Sequence, residues 1–197
     1  MPIFSKNKIP KTIIVDTDIR LIRTDPWRDA RVSVEWLQGE QGRETLRAMG
    51  VVVADDFEPS AETELARLKS MLKSRNEIIR MIEYKGRIVG CLEIWTVQYD
   101  NVPSPSVSLL IGSPNIRGLG IGTKVVGAIE HILSENGFET INMRALLANE
   151  KSNNFFINNR FVKYGAPYTD ENGLAWQVYS KLLVANSKAL AQQKLLS

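Results

Sequence analysis

Three glycines at alternate positions, Gly118, Gly120 and Gly122, lie between an arginine and a lysine in the stretch NIRGLGIGTK. The β-type run SVSLLIG precedes this stretch, and apolar residues at helical spacing follow it. Glycine is used where the backbone bends sharply or where something approaches it closely. The sequence therefore predicts a strand, a glycine loop and a helix in direct succession, an arrangement that suits a phosphate group at the helix N-terminus.

The spacing of the glycines separates the known phosphate loops. A P-loop requires G-x-x-x-x-G-K-[ST] and a dinucleotide-binding loop requires G-x-G-x-x-G, and the stretch matches neither pattern. It does match [RQ]-x-x-G-x-[GA] at Arg117, Gly120 and Gly122. The N–H groups of such a loop and of the first helical turn are unpaired donors beside the positive end of the helix dipole, so they favour a pyrophosphate.

Composition excludes several classes of protein. A chain of 197 residues with 44% hydrophobic and 24% charged residues indicates one globular domain, and no apolar run approaches the length of a membrane span. Its first residues lack the apolar segment of a secretory signal, so we expect a cytoplasmic protein. One cysteine, Cys91, and one histidine, His131, exclude an internal disulfide and argue against a metal site. The net charge of +3 is scattered, so neither a membrane nor a nucleic acid is expected as a partner.

The order of predicted elements indicates mixed α/β organisation. We expect a flexible arm over residues 1–10, one domain over 11–184 and a tail over 185–197. Within the domain we predict strands over 11–23, 77–84, 87–97, 106–112, 138–146, 161–164 and 173–183. Helices are predicted after Asp25 and Ser60, over 43–50, over 121–136 and over 151–159.

Two stretches, SLLIGSPNIRGLGIGTKVVGAIEHIL and NEKSNNFFINNRF, resemble the Gcn5-related N-acetyltransferase (GNAT) superfamily. The clear resemblance covers residues 77–183, and the first third of the chain agrees in the order of its elements only. The resemblance implies an α/β (α+β) fold, with a central mixed and mostly antiparallel sheet that is splayed at an acetyl-CoA cleft and flanked by helices. It also implies acetyl-CoA as co-substrate, an amine as acceptor and, as in many family members, a homodimer.

The same resemblance implies where acetyl-CoA binds. The pantetheine would pair with the backbone of residues 109–111, a backbone N–H near Leu110 would polarise the thioester carbonyl, and the pyrophosphate would lie on residues 117–123. The implied binding residues are Leu109, Leu110, Ile111, Arg117, Gly118, Leu119, Gly120, Ile121, Gly122, Thr123, Asn149 and Ser152.

One position departs from the family pattern N-x-x-[AS]-x-x-[LF]-Y-x-x-x-G-F. Asn149 and Ser152 match it, but Phe156 stands at the tyrosine that commonly protonates the departing CoA thiolate. The serine form is similar to the branch that acetylates the N-termini of ribosomal proteins. Ser152 and Tyr164 are the candidate substitutes for the missing acid, with Tyr168 close by. Water is an alternative source of the proton, because a CoA thiol has a pKa of about 8.5.

A general base is needed more than an acid, because an amine is almost wholly protonated at neutral pH. Family members often place a glutamate on a central strand, and Glu93 lies in the apolar run CLEIW. A carboxylate in apolar surroundings holds a proton more readily, as a general base requires. Glu93 is therefore the candidate base, and an ordinary place on a solvated strand face is the alternative.

Residues 55–64, DDFEPSAETE, contain five acids and no base. Such a stretch would attract a cationic acceptor such as an aminoglycoside, a polyamine or a basic peptide N-terminus, or it is simply a solvated loop and helix start. The leading hypothesis is direct acetyl transfer from acetyl-CoA to an amine of a small molecule or of a protein N-terminus. The alternative is a degenerate GNAT module that binds acyl-CoA as a sensor or partner without turnover.

Overall fold

The structure is a computed structural model that describes residues 9–54 and 56–183. Its helices and strands are β1 (Thr12–Ile14), β2 (Ile19–Arg23), α1 (Pro26–Leu37), α2 (Gly39–Ala48), α3 (Ala61–Lys73), β3 (Glu77–Tyr84), β4 (Arg87–Trp95), β5 (Ser106–Ile111), α4 (Ile121–Glu135), β6 (Thr140–Leu146), α5 (Glu150–Asn158), β7 (Val162–Thr169) and β8 (Ala175–Leu182). A short 3-10 turn, Pro114–Ile116, lies between β5 and the glycine loop.

The described strands form one eight-stranded sheet in the order β1-β2-β3-β4-β5-β6-β8-β7. All neighbouring strands are antiparallel except β5 and β6, which are parallel and pair at a single position, Ser106 with Asn142. The predicted fold class, a mixed and mostly antiparallel sheet that opens at its centre, is confirmed.

Helices cover both faces of the sheet. On one face, Val125 and Ile129 of α4 pack against Ile141 of β6 in the largest core cluster. On the other face, Ala30 of α1 and Leu68 of α3 pack against Ile79 of β3. Because side chains alternate along a strand, β4 and β5 present different residues to these two layers, and this alternation decides which side chains reach the site.

Two helix starts follow the predicted capping. The Asp25 carboxylate accepts hydrogen bonds from the backbone N–H groups of Trp27 and Arg28, with Pro26 in the first turn of α1. The Ser60 hydroxyl accepts from the N–H of Thr63 at the start of α3. Both helices therefore begin where the sequence predicted.

The start of α2 was placed too late. We predicted breaks at Gly39 and Gly42 and a helix from Arg43, but α2 begins at Gly39. A Cβ at Gly42 would lie 2.0 Å from the Leu37 carbonyl, so glycine lets α2 pass close against the end of α1. Gly42 is therefore a packing position inside the helix rather than a break.

The predicted strand over 11–23 is instead a hairpin of β1 and β2. The Asp16 side chain accepts hydrogen bonds from the N–H groups of Asp18 and Ile19 at 2.8 and 2.7 Å, which closes an Asx-type turn. The last strands also differ, because β7 continues past Gly165 and Pro167 through a register shift. An edge strand tolerates proline, since one side of its ladder is unpaired.

The predicted arm over residues 1–10 ends too late, because Ile9 is 5% exposed and belongs to the main core cluster. Residues 1–8 of that arm and the predicted tail over 185–197 lie outside the described residues. The limits of the single domain, 11–184, stay a prediction.

Candidate active site

The edge of β5 that faces β6 is open for most of its length. β5 pairs with β4 along the whole strand, whereas it meets β6 only at Ser106. There Asn142 of β6 donates from its backbone N and from its side-chain Nδ2 to the Pro105 carbonyl, at 3.1 Å in both cases. Beyond this point the strands diverge, so β5 presents backbone donors and acceptors to an opening. An open strand edge can bind an extended ligand through backbone hydrogen bonds.

A cavity of about 410 Å³, called the loop cavity below, opens on this edge. It is lined by Thr45, Ala48, Met49, Leu109, Leu110, Ile111, Ile116, Arg117, Gly118, Gly120, Ile121, Gly122, Thr123, Asn149, Lys151, Ser152 and Phe155. Every residue predicted to bind acetyl-CoA is among them except Leu119, whose side chain is 57% exposed. The structure thus brings the predicted binding residues to one cavity.

The glycines of the loop give this cavity its shape. Gly118 and Gly120 have φ values of +84° and +78°, in the left-handed region that side chains rarely adopt, and a Cβ at either one would meet nothing within 4 Å. Gly120 precedes α4, and within the described part of the chain no side chain caps that helix. The first N–H groups of α4 are therefore available beside the positive helix end, as a pyrophosphate requires. These features fit the CoA moiety.

Arg117 is engaged mainly with the protein. Its Nε donates to the Ile111 carbonyl at 2.8 Å, and its Nη2 donates to Thr45 Oγ1 and to the Gly112 carbonyl. Burial lowers the pKa of Arg117. Arg117 was predicted as one of the residues on which the pyrophosphate lies. In the structure its observed contacts fasten the loop to β5 and α2, and Nη1 has no partner among the described residues.

Asn149 and Ser152 lie at the start of α5. The Asn149 side chain caps this helix by accepting from the Ser152 N–H at 3.1 Å, and its Nδ2 donates to the Ala48 carbonyl at 2.9 Å. Asn149 therefore ties the end of α2 to the start of α5 across the opening.

A second cavity of about 250 Å³, called the Glu93 cavity below, adjoins the first. The two cavities share the lining residues Ala48, Met49, Leu109, Asn149, Ser152 and Phe155. The Glu93 cavity is further lined by Glu93, Trp95, Tyr99, Val102, Ser106, Val107, Ser108, Met143, Arg144, Ala145, Phe156 and Trp176. A ligand that follows the β5 edge from the glycine loop thus reaches Ser152 and then the surroundings of Glu93.

The surroundings of Glu93 are not the apolar ones that were predicted. Glu93 Oε1 accepts from Arg67 Nη1 at 2.7 Å, and Arg67 also binds both carboxylate oxygens of Glu64 at 2.8 Å. Burial lowers the pKa of Arg67, but hydrogen bonding to Glu64 and the charges of both carboxylates outweigh burial, so the net shift of that pKa is upward. Glu93 is therefore a mostly buried carboxylate with one oxygen held by a cation.

Hydroxyl groups lie on the same face of β5 as Glu93 on β4. Ser108 is the register partner of Glu93, and Ser106 is the partner of Trp95. Ser106 Oγ is buried and has no hydrogen-bond partner among the described residues, which is uncommon for a buried hydroxyl. The cavity therefore contains a polar group that a bound molecule can satisfy.

Arg144 of β6 organises the far wall of the Glu93 cavity. Its Nη1 contacts the Asp100 carboxylate and the Tyr168 hydroxyl, and its guanidinium lies 4.1 Å from the ring centre of Trp176. The Trp95 and Tyr99 rings stack with centres 4.6 Å apart. These contacts hold the connection between β4 and β5, residues 96–105, against β6.

Some sequence-predicted residues lie away from the site. Tyr164, predicted as a candidate acid, is 55% exposed on the edge strand β7 and lines neither cavity. Phe156 does line the Glu93 cavity, but its ring is buried against the ring of Tyr179, with the two ring centres 5.0 Å apart.

The single cysteine and the single histidine are not part of the site. Burial raises the pKa of Cys91, as expected for a core residue rather than a nucleophile. His131 is exposed on α4 beside Glu135.

Arg67, Arg144, Trp176 and the buried Ser106 hydroxyl were not predicted. They belong to α3, β6, β8 and β5, so only the fold brings them together. A partial signal existed for one of them, since Glu64 and Arg67 are spaced i,i+3 on a predicted helix. Nothing in the sequence linked that pair to Glu93.

Residues 9–54 and 56–183 contain no cluster of three or more His, Cys, Asp or Glu side chains that could hold a metal ion. No helix in that part of the chain combines the length and apolar character needed to cross a bilayer.

The fold is shared with solved acetyltransferases. MccE, the microcin C7 self-immunity acetyltransferase in complex with acetyl-CoA and AMP, aligns with a TM-score of 0.71 and 18% identity over 88% of this chain and 97% of MccE. RimL, a ribosomal L7/L12 α-N-protein acetyltransferase in complex with CoA, aligns with a TM-score of 0.71 and 14% identity over 89% of this chain and 99% of RimL. A Salmonella typhimurium acetyltransferase that modifies the N-terminal serine of L7/L12 aligns with a TM-score of 0.69 and 13% identity over 88% of this chain and 99% of that protein.

Sequence comparison identifies the family to which the chain belongs. A search of curated protein sequences gives no significant match. The model of the acetyltransferase (GNAT) family matches residues 44–158, more than half of the chain, and these residues include the glycine loop, β5 and Glu93. The chain therefore belongs to the acetyltransferase (GNAT) family, whose enzymes use acetyl-CoA as co-substrate.

Proposed function

We propose that the protein transfers the acetyl group of acetyl-CoA directly to an amine, with the reacting carbonyl held where the two cavities meet. The observation that carries this proposal is the continuous opening along β5, which joins an uncapped helix N-terminus at one end to Glu93 at the other. A ligand with a pyrophosphate, an extended arm and a terminal thioester has that sequence of parts.

The chain's backbone does most of the binding in this proposal. The N–H groups of the glycine loop and of the first turn of α4 bind the pyrophosphate, and the open edge of β5 pairs with the pantetheine at residues 109–111. A backbone N–H near Leu110 donates to the thioester carbonyl, which favours the charge that develops on that oxygen. Bound acetyl-CoA supplies the activated acetyl group.

Glu93 is the proposed general base. A free amine with a pKa near 10 is only about one part in a thousand neutral at pH 7, a handicap of about 4 kcal/mol that a base in the site can reduce. Glu93 accepts the ammonium proton, directly or through water. Direct transfer is favoured because the buried Cys91 offers no accessible thiolate for an acetyl-enzyme.

The departing thiolate needs a weak acid at most. Ser152 lines both cavities and is the proposed donor, with water as the alternative source of the proton. Phe156 has no proton to give, and the exposed position of Tyr164 does not support the role predicted for it.

The acceptor is proposed to be the amine of a small molecule, such as an aminoglycoside or polyamine, or a protein N-terminus. RimL, which has the same fold, acts on a ribosomal-protein N-terminus, and the serine at position 152 also supports this branch. The acidic stretch contributes less charge than expected, since Glu58 pairs with Arg43 and Glu64 pairs with Arg67. Asp55 of that stretch lies outside the described residues.

Two further parts of the proposal concern the setting of the enzyme. We place it in the cytoplasm, and we expect a homodimer, as in many relatives of this superfamily. Light scattering after size-exclusion chromatography, with and without acetyl-CoA, measures the oligomeric state directly.

The deciding experiment is a thermal-shift measurement with acetyl-CoA, CoA and ATP in parallel, followed by a thiol-release assay on a panel of amines. A ligand at about one hundred times its Kd adds about 2.7 kcal/mol, which corresponds to a rise of about 5–10 °C for a chain of this length. We expect a rise with acetyl-CoA and CoA but not with ATP. No rise with acetyl-CoA would overturn the proposal.

A second candidate is a module that binds acyl-CoA without turnover. Phe156 favours it, because the side chain at the usual acid position carries no hydroxyl. The two candidates differ in one observable: both bind acetyl-CoA, but only the enzyme releases free CoA when an amine acceptor is present.

A further inference from the structure

We propose that Arg67 is a positioning residue for acetyl transfer, which holds one oxygen of Glu93 so that the other faces the acceptor amine. This inference rests on the proposed function, and it concerns a residue of α3 that contacts neither the β5 edge nor the glycine loop. Arg67 does not line either cavity, so it acts through Glu93.

The geometry is that of one guanidinium between two carboxylates. Arg67 Nε and Nη2 form a two-point contact with Glu64, three residues earlier on α3, at 2.8 Å each. Its Nη1 reaches across to Oε1 of Glu93 on β4 at 2.7 Å and also lies 3.2 Å from Met71 Sδ. The two-point contact with Glu64 fixes the plane of the guanidinium, and this plane then fixes the direction of the bond to Glu93.

The contact leaves one oxygen of Glu93 for the substrate. Oε2 has no hydrogen-bond partner among the described residues, while Glu93 itself lines the 250 Å³ cavity. The Glu93 carboxylate can therefore meet an incoming ammonium with a defined orientation.

Stability alone is a weak reason for this cluster. The Arg67 side chain is 42% exposed, and ion pairs with an exposed partner typically contribute about 0–1 kcal/mol. The side chain of Glu93 is only 13% exposed, so placing a carboxylate there costs solvation free energy. A charged group held at a cavity wall at such a cost is what a reaction site needs, and Arg67 supplies the opposite charge in contact with it.

Other charged groups lie near Glu93. Glu64 lies behind Arg67 on α3, and Arg144 lines the same cavity as Glu93. Among the described residues, Arg67 is the group in direct contact with the carboxylate. Removing Arg67 should therefore change the orientation of Glu93 more than removing either of the others.

The test is the pair of steady-state constants kcat and KM for the amine at saturating acetyl-CoA, in wild type, Arg67→Met and Arg67→Lys. Without the guanidinium the Glu93 carboxylate is no longer held in one orientation, so kcat should fall about tenfold in Arg67→Met while KM for the amine changes by less than about twofold. Arg67→Lys keeps a charged donor for Glu93 and should recover part of the lost kcat, though not the two-point contact with Glu64.

Arg20→Met is the matched control. Arg20 is 48% exposed and pairs with Glu83 between β2 and β3, so this variant also removes one half-exposed arginine from an ion pair. Its kcat and its KM for the amine should match those of wild type. Acetyl-CoA affinity, measured by calorimetry, should be unchanged in all of these variants and shows that they fold.

The outcomes separate the two hypotheses. If wild type binds acetyl-CoA but transfers it to no amine, the proposed function fails and the role of Arg67 fails with it. If wild type transfers acetyl groups and kcat of Arg67→Met matches that of wild type, the role of Arg67 alone is overturned. A fall in kcat that comes with a matching loss of acetyl-CoA affinity would also overturn it, because that pattern indicates loss of structure only.

Discussion

The two cavities along β5 differ in whether backbone or side chains form them. The loop cavity is formed largely by backbone, with Gly118 and Gly120 in left-handed conformations and an uncapped α4, and even Arg117 serves mainly to fasten the loop. The Glu93 cavity is formed by side chains from several elements, among them Arg144 and Trp176. A site formed by backbone depends little on side-chain identity, whereas a site formed by side chains can change with a single substitution.

This contrast predicts different responses to substitution. Changes in the loop cavity should act on acetyl-CoA binding through backbone conformation and charge. Changes in the Glu93 cavity should act on turnover and leave acetyl-CoA binding nearly intact.

The largest effect is expected from Gly120→Glu. A carboxylate beside the α4 N-terminus would occupy the space meant for the phosphates and repel them, so acetyl-CoA affinity should fall at least about a hundredfold, equivalent to about 2.7 kcal/mol. Isothermal titration calorimetry measures this directly. Gly120→Ala is the matched control: it adds left-handed strain of about 1–2 kcal/mol but no charge, and its Cβ meets nothing within 4 Å.

Gly120→Ala should therefore lose some stability and retain most of its affinity. Equal losses of affinity in the two variants would mean that loop conformation, and not phosphate binding, explains the glycine.

Glu93→Gln should have the next largest effect, and this substitution acts in the Glu93 cavity. Glutamine keeps the size of the side chain and an oxygen for Arg67 but cannot accept a proton, so kcat should fall about 10²–10³-fold. The alkaline-rising pH profile of the reaction should move, because the amine must then lose its proton to solvent. Acetyl-CoA affinity should stay within a factor of two or so of wild type. A profile that keeps its position would remove Glu93 as the base.

Arg117→Met tests the role of the side chain that fastens the loop cavity. Losing three hydrogen bonds to Ile111, Gly112 and Thr45 should lower the free energy of unfolding by about 1–3 kcal/mol, measured by urea denaturation. Acetyl-CoA affinity should fall about tenfold, because the loop is less well held. Arg117→Lys keeps the charge without the planar fork. If it matches wild type in both measurements, charge matters and fastening does not.

The same contrast explains what the sequence could predict. The glycine loop is a local pattern between a strand and a helix, so residues 109–111 and 117–123 could be assigned as one site and, apart from Leu119, do line one cavity. Phosphate binding by a helix N-terminus needs no distant partner. The fold class was also readable, since β3, β4 and α4 are long and strongly patterned.

The Glu93 cavity could not be read in that way. Glu93 was found from its strand, but its partner Arg67 is 26 residues away on a helix that packs against the sheet. Apolar neighbours in sequence suggested an isolated carboxylate, because the pattern along one strand says nothing of what crosses from the next layer. Tyr164 shows the same limit, since closeness to α5 in sequence did not bring it to the cavity.

The smallest effect is expected from Asp170→Asn, in the turn that positions Trp176. Asp170 Oδ2 accepts from Trp176 Nε1 at 2.9 Å, and Oδ1 accepts from the N–H groups of Asn172 and Leu174. The Trp176 hydrogen bond, followed by the Leu174 N–H, lowers the pKa of Asp170 below its usual value of 3.8. A carboxyl group with a lowered pKa in the folded protein stabilises the fold at neutral pH and loses this contribution as pH falls below about 4.

Asp170→Asn should therefore unfold at slightly lower urea concentration than wild type at pH 7, and the difference should shrink as pH falls through 4 toward 2. The exposed neighbour Glu171 supplies the control, since Glu171→Gln changes the same charge without the tryptophan contact. Because Trp176 carries the stacked Arg144 at the cavity wall, the same variant should also raise KM for the amine slightly and leave acetyl-CoA affinity unchanged. A larger effect on acetyl-CoA affinity than on KM for the amine would show that the two cavities are coupled through this wall, and that side chains of β8 also shape the loop cavity.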